Sequence, residues 1–187
     1  MELLLNKIKQ LQQLDHPIIV AIDGKCGSGK TTLAASLQQQ LQANVIHMDD
    51  FFLPLHMRQP ARFQEIGGNV HYERLAEVLL AIQQQSISSY EALDCQTFTM
   101  HTKLFTESSI YIVEGVYAMH PALRSFYSTS MYLHIDEATQ YERLQQRETP
   151  EKFAMFKEKW IPLENRYFET YAIQQLCEFT WEARQCI

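Results

Sequence analysis

The stretch from Gly24 to Thr31, Gly-Lys-Cys-Gly-Ser-Gly-Lys-Thr, fits the pattern G-x-x-x-x-G-K-S/T and constrains this chain more than any other feature. The apolar run Ile18 to Ile22 precedes it and reads as a buried strand, and Thr31 to Leu41 follows it and reads as a helix. Strand, glycine-rich loop and helix N-terminus together build an anion site, so this context carries more weight than the pattern itself. Gly24, Gly27 and Gly29 allow backbone angles that a side chain forbids and let the backbone approach a ligand closely. Successive N–H groups then turn inward as a nest for phosphate oxygens. The opening helix adds roughly half a positive charge. On this reading Gly24, Lys25, Cys26, Gly27, Ser28, Gly29, Lys30, Thr31 and Thr32 hold a nucleoside triphosphate. Lys30 reaches the β- and γ-phosphates, the Thr31 hydroxyl ligates Mg²⁺, and Thr32 lies by the α-phosphate. The bland alternative is a glycine-rich turn that binds nothing.

A chain of 187 residues is expected to form one domain over 1–187 and to bury a core without staples. The net charge of −6 speaks against a nucleic-acid partner, which calls for a basic footprint. It leaves a small-molecule substrate open, because one loop supplies a phosphate site locally. Cys26, Cys95, Cys177 and Cys186 are scattered and form no C-x-x-C pair, which suits free thiols in a reducing compartment. Cys26 lies in the loop, where neighbouring N–H groups and Lys30 could lower its thiol pKa. The plainer reading is a small side chain that fills space. The N-terminal segment, with Glu2 and a short apolar run, does not read as a secretory signal, and no stretch approaches the ~18 apolar residues of a membrane span. The expectation is a cytoplasmic protein without a membrane partner, for which a homodimer is an admissible state.

Leu4, Ile8 and Leu11 mark an amphipathic helix over 2–14, broken by Asp15-His16-Pro17. After the loop helix, Asn44 to Met48 reads as a second strand ending at Asp49-Asp50-Phe51-Phe52. Carboxylates at the C-terminal end of a parallel strand face the crevice where such sheets bind ligands. One of Asp49 and Asp50 is therefore a candidate base, able to take the proton of a substrate hydroxyl and to help hold Mg²⁺ through water; the alternative is a pair that caps the turn. Residues 51–107 form an excursion, irregular to about Val70, with a helix on Leu75, Val78, Leu79 and Ile82 and a strand or hairpin over 87–107. Ser109 to Gly115 is a clear mid-sheet strand, and Glu114 at its end is the second carboxylate. Met131 to Ile135 is a further strand. A helix from Glu137 to Arg147 places Arg143 and Arg147 four apart on one face, where arginines neutralise charge developing in phosphoryl transfer. A flap or hinge follows near Glu148 to Lys152, within a lid of about 143–156. The aromatic stripe Phe153, Phe156 and Trp160 reads mainly as core, and Glu178 to Trp181 as a short edge strand.

The loop Ile22 to Thr32, the segment Met48-Asp49-Asp50-Phe51-Phe52 and the strand end Ile112-Val113-Glu114-Gly115, in that order, resemble the uridine kinase, nicotinamide riboside kinase and phosphoribulokinase group. The resemblance spans nearly the whole chain. It implies an α/β P-loop NTPase fold of three layers, α/β/α, with a roughly five-stranded parallel sheet and a helical lid. It also implies ATP and Mg²⁺ as donor and cofactor. Asp49 stands where the family has its catalytic aspartate, Glu114 at its second acid, and Arg143 and Arg147 where lid arginines are expected. Trp160-Ile161-Pro162 is similar to the tryptophan–proline segment of the riboside kinases. The implied function is transfer of the γ-phosphate of ATP to a hydroxyl of a small metabolite, a nucleoside first. Another riboside, pantothenate or a sugar phosphate is the alternative acceptor, and a P-loop nucleotide switch is the alternative class. The acceptor side departs from the pattern. His71 replaces an aspartate that grips ribose hydroxyls, Leu93 replaces a tyrosine before Asp94, and Phe98 replaces a histidine after it. His71, Asp94 and Arg58, with Asp49, are the candidates for acceptor binding.

Overall fold

In the computed structural model, which describes residues 2–95 and 97–182, the apolar runs of the sequence become one parallel sheet. Its strands are β1 (Ile18–Gly24), β2 (Asn44–His47), β5 (Ile110–Glu114), β6 (Thr129–His134) and β7 (Phe179–Glu182). Their spatial order is β2-β5-β1-β6-β7, and every neighbouring pair runs parallel. β1 and β5 are buried along their whole length, which explains why both read as unbroken apolar runs.

The two-residue period of a strand divides the core. Ile18, Val20, Ile22, Ile110, Ile112, Met131 and Leu133 point to one face, where α1 (Glu2–Leu11) and α2 (Lys30–Leu41) supply Leu4, Ile8, Leu33, Ala34 and Leu37. Ile19, Ala21, Tyr111, Val113 and Tyr132 point to the other, against Leu75, Val78, Leu79 and Ile82 of α4 (Tyr72–Gln83) and Tyr167 and Phe168 of α7 (Ile161–Tyr171). Helices thus cover both faces of a five-stranded sheet, as the sequence implied.

The excursion between β2 and β5 holds a short α3 (Pro60–Gln64), α4, and an antiparallel hairpin of β3 (Ser89–Leu93) and β4 (Met100–Leu104). Asp50 anchors that hairpin. Tyr90 donates its hydroxyl to Asp50 Oδ2 at 2.7 Å, and Lys103 Nζ donates to both carboxylate oxygens at 2.8 Å. The Tyr90 ring stacks on Phe51 with centroids 5.6 Å apart. Of the two adjacent aspartates, Asp50 is therefore a structural tether.

After β6, α5 (Glu137–Arg147) begins at Asp136, whose side chain accepts from the Thr139 N–H. Thr149 caps α6 (Pro150–Met155) in the same way, with Pro150 in the first turn. One π-helical turn, Phe156–Trp160, joins α6 to α7, and α8 (Ile173–Leu176) leads to β7. Helical structure thus runs on through Trp160. Cys186 and the rest of 183–187 lie outside the described residues.

Candidate active site

A cleft of about 1130 Å³ opens at the carboxyl ends of β1, β5 and β6. Cys26 to Leu33 form one wall, and Asp49, Phe52, Asn69, Glu114 and Tyr117 another. Thr139, Glu142, Arg143, Gln146 and Arg147 of α5 also line it, as do Phe156, Trp160, Glu164, Trp181 and Glu182.

The loop itself follows from steric necessity. At Gly24 φ is +150°, and a Cβ there would lie 2.4 Å from the Leu133 carbonyl oxygen. Gly29, at φ +93°, turns the chain into α2, which begins at Lys30. Asp23, just before the loop, is fully buried and accepts from the N–H groups of Gly24 (2.7 Å) and Met119 (2.8 Å) and from the Tyr167 hydroxyl (2.7 Å). The loop is also held from outside. Cys26 donates its N–H to Glu164 Oε2 at 2.9 Å, Gln140 donates to the Cys26 carbonyl at 2.9 Å, and Arg143 donates to the Gly27 carbonyl at 3.0 Å. Lys30 Nζ donates to the Lys25 carbonyl at 2.9 Å. Ser28 Oγ is buried against the cleft and has no hydrogen-bond partner among the described residues, so it is a polar atom that a phosphate oxygen would satisfy.

Three oxygen-bearing side chains gather beside Lys30. Thr31 Oγ1 donates to Glu114 Oε1 at 3.1 Å, the same oxygen lies 2.6 Å from His47 Nδ1, and Asp49 lines the cleft alongside. Among the described residues no group of three or more His, Cys, Asp or Glu could hold a metal by itself. A hydroxyl and two carboxylates next to a phosphate cradle do suit Mg²⁺, which keeps waters and shares itself with substrate phosphates. Asp49 is exposed by its accessible surface and lines the cleft, yet many protein atoms surround its carboxyl. Its confinement by protein, and then the charge of Glu114, push its pKa above the usual carboxylate range. The Glu114 contact raises that of His47.

The sequence-derived candidates divide here. Cys26, Gly27, Ser28, Gly29, Lys30, Thr31, Thr32, Asp49, Glu114, Arg143 and Arg147 all line this cleft. Gly24, Lys25, Arg58, His71 and Asp94 are not among its lining residues. Arg58 donates to the Leu53 carbonyl at 2.9 Å and lies over the Phe98 ring. His71 caps α4, its Nδ1 accepting the Arg74 N–H at 3.2 Å. Asp94 closes the β3–β4 turn, its Oδ1 accepting the Thr97 N–H at 3.2 Å. The aromatic stripe is core only in part: Phe153 and Phe156 pack against Cys26, Leu144 and Ile161, while Phe156 and Trp160 also line the cleft. Burial and the adjacent Glu164 push the Cys26 thiol pKa up to about 12, opposite to the lowering that the loop position suggested.

Sequence reasoning missed His47, Gln140 and Glu164. Glu164 was within reach, because Trp160 and Glu164 are four apart and share a helical face. His47 pairs with Glu114 through parallel strand register, which no local pattern announces.

Fold and site together define a P-loop α/β protein, with its phosphate cradle between the first strand and the second helix. A family model described as an AAA domain matches residues 20–170, so the chain belongs to that family of P-loop domains. Its resemblance within the P-loop proteins is to the uridine kinase-like group. It is 28% identical over 152 residues to a uridine kinase of Lactobacillus johnsonii, a match covering 75% of this chain and 72% of that one. Among solved structures, a protein described as a possible uridine kinase from Bacillus stearothermophilus superposes with a TM-score of 0.66 at 22% identity, covering 97% of this chain and 100% of that one. A candidate fructose transport system kinase from Silicibacter sp. TM1040 superposes with a TM-score of 0.65 at 21% identity, covering 97% and 99%. These two structural likenesses speak for the fold alone. No helix among the described residues is long and apolar enough to cross a membrane.

Proposed function

We propose that this protein is an ATP-dependent phosphotransferase that moves the γ-phosphate to a hydroxyl of a small molecule, a nucleoside first among acceptors. The observation that carries this reading is the convergence of Lys30, Thr31, Asp49 and Glu114 on one cleft at the carboxyl ends of the central strands. The similarity to a uridine kinase supports it. The loop amides and Lys30 hold the β- and γ-phosphates. Thr31, with Asp49 and Glu114 through waters, would hold Mg²⁺, which neutralises charge on the phosphates when bound. Asp49 takes the proton of the acceptor hydroxyl as its oxygen bonds to the γ-phosphorus. The bond from that phosphorus to the β–γ bridging oxygen breaks, and ADP leaves with the electron pair. Arg143 and Arg147 lie over the same cleft, where closure of the lid brings positive charge to the transferred group. In such reactions positioning and charge stabilisation supply most of the acceleration, and turnover on the order of 1–100 s⁻¹ is expected.

The test is ATP consumption by the full chain with a panel of hydroxyl acceptors, beside nucleotide binding by Lys30→Ala. Turnover that rises only with an acceptor, together with loss of ATP binding in the variant, supports the enzyme. Acceptor-independent hydrolysis, or a folded Lys30→Ala protein that binds and turns over ATP normally, excludes it.

A further inference from the structure

A loop rich in glycine does not fix its own peptide planes, so their orientation has to come from partners outside it. Here the partners converge on Cys26. The Lys25–Cys26 peptide is held at both ends, its carbonyl accepting from Lys30 Nζ and its N–H donated to Glu164 Oε2, each at 2.9 Å. The next two carbonyls, of Cys26 and Gly27, accept from Gln140 at 2.9 Å and Arg143 at 3.0 Å. A flip of any of these peptides would turn a carbonyl oxygen to where a phosphate nest presents an N–H.

The Cys26 side chain adds a packing contact. It is buried with Leu144 of α5 and Ile161 of α7, and Phe153 of α6 and Phe156 of the π-helical turn pack against the same small cluster. A residue of the loop is thus part of the core that holds 150–161 together.

One helix, α7, grips the loop at two points. Glu164 takes the Cys26 N–H, and Tyr167, three residues on and on the same helical face, donates its hydroxyl to Asp23 Oδ2 at 2.7 Å. Asp23 also accepts the Gly24 N–H at 2.7 Å, where the loop begins. Glu164 is only 6% exposed, so loss of its carboxylate leaves a buried N–H that water does not readily satisfy.

We propose that Glu164 is a positioning residue for nucleotide binding. By holding the Cys26 N–H from the start of α7, it sets the peptide orientation of the phosphate loop and makes the loop and segment 150–160 order as one unit. This rests on the reading of the loop as a nucleotide site.

The experiment joins calorimetric titration with ATP and Mg²⁺ to amide hydrogen exchange without nucleotide, on the full chain and three variants. Glu164→Ala should weaken ATP binding about tenfold or more. It should also quicken exchange in 24–32 and 150–160 together while β5 stays protected. Glu164→Gln keeps an oxygen that can accept the Cys26 N–H and should recover most of both losses. Tyr167→Phe keeps the ring, removes only the Asp23 contact, and should quicken exchange in 24–32; it decides the matter if Glu164→Ala does not fold. The proposal is overturned by ATP affinity within about twofold of wild type in Glu164→Ala, or by exchange that quickens in 150–160 without 24–32 or uniformly through the chain. A glutamine variant no better than the alanine one, or a Tyr167→Phe loop that exchanges as in wild type, overturns it too. Failure of the nucleotide reading is separable, because it appears as a wild-type protein that binds no ATP, while exchange without nucleotide still reads the link from Glu164 to the loop.

Discussion

Thr31 Oγ1 donates to Glu114 Oε1 across 3.1 Å and so joins the first turn of α2 to the end of β5. His47 Nδ1 meets the same oxygen at 2.6 Å from the end of β2. Residues from α2 and β2 thus converge on one carboxylate oxygen at the end of β5, which is held in place before any ligand arrives. Thr31→Ala removes one of the two contacts that orient Glu114 and, on the proposed reading, the hydroxyl that would hold Mg²⁺. Losses of this kind cost about 10–100-fold in metal affinity. Calorimetric titration of ATP at several Mg²⁺ concentrations should show that weakening in the variant. An unchanged Mg²⁺ dependence would remove Thr31 and Glu114 from the metal site.

On the proposed reading, Asp49 is the base that gives the reaction its pH dependence. Confinement and the Glu114 charge raise its pKa, and a general base works only when deprotonated. Activity should rise with pH through a limb that lies above the ordinary carboxylate value of about 4. Asp49→Asn should lower kcat by about 10²–10⁴-fold and abolish that limb. A kcat/KM profile across the acid range measures both effects; an asparagine variant that keeps the limb assigns it to another group.

The donor half of this site was legible because it is local. Loop, preceding strand and following helix occupy one continuous stretch, and the backbone conformation of Gly24 and Gly29 is written in residue type. The parallel sheet was legible because strands buried on both faces read as unbroken apolar runs. The acceptor half was not. His71, Asp94 and Arg58 sit in plausible sequence positions, but each is consumed by a cap, a turn or a backbone carbonyl of its own neighbourhood. The residues that do reach the cleft, Asn69, Tyr117 and Glu164, come from three separate segments. Amphipathic spacing cannot separate an aromatic residue facing the core from one facing a ligand, which is why Phe156 and Trp160 read as core.

Asp50 illustrates the same point as a structural device. Its carboxylate is buried and takes both Tyr90 and Lys103, so it ties the β3–β4 hairpin to the turn that carries Asp49. Lys103→Met leaves that carboxylate with a single side-chain partner and should cost roughly 1–3 kcal/mol, felt first as local opening of the hairpin. Amide hydrogen exchange should quicken in 89–104 while β1 and β5 stay protected. Uniform acceleration throughout the chain would make the ion pair part of global stability instead.

Asp23 makes the opposite contribution to pH dependence from a salt-bridged acid. Complete burial raises its pKa from 3.8 to about 6, against the pull of Met119, Tyr167 and Gly24. The folded state therefore binds this proton more tightly than the unfolded chain does. The resulting stabilisation is fully present below about pH 4 and is lost as pH rises through about 6. A shift of this size is worth about 3 kcal/mol at most. Asp23→Asn removes the titration while keeping the shape, so comparison of the two proteins cancels the other carboxylates. The difference in unfolding free energy, wild type minus variant, should fall by up to that amount between pH 4 and 7 in denaturant titrations. A difference that stays flat or rises would mean that the three donors around Asp23 outweigh its burial and that the carboxyl is ionised throughout.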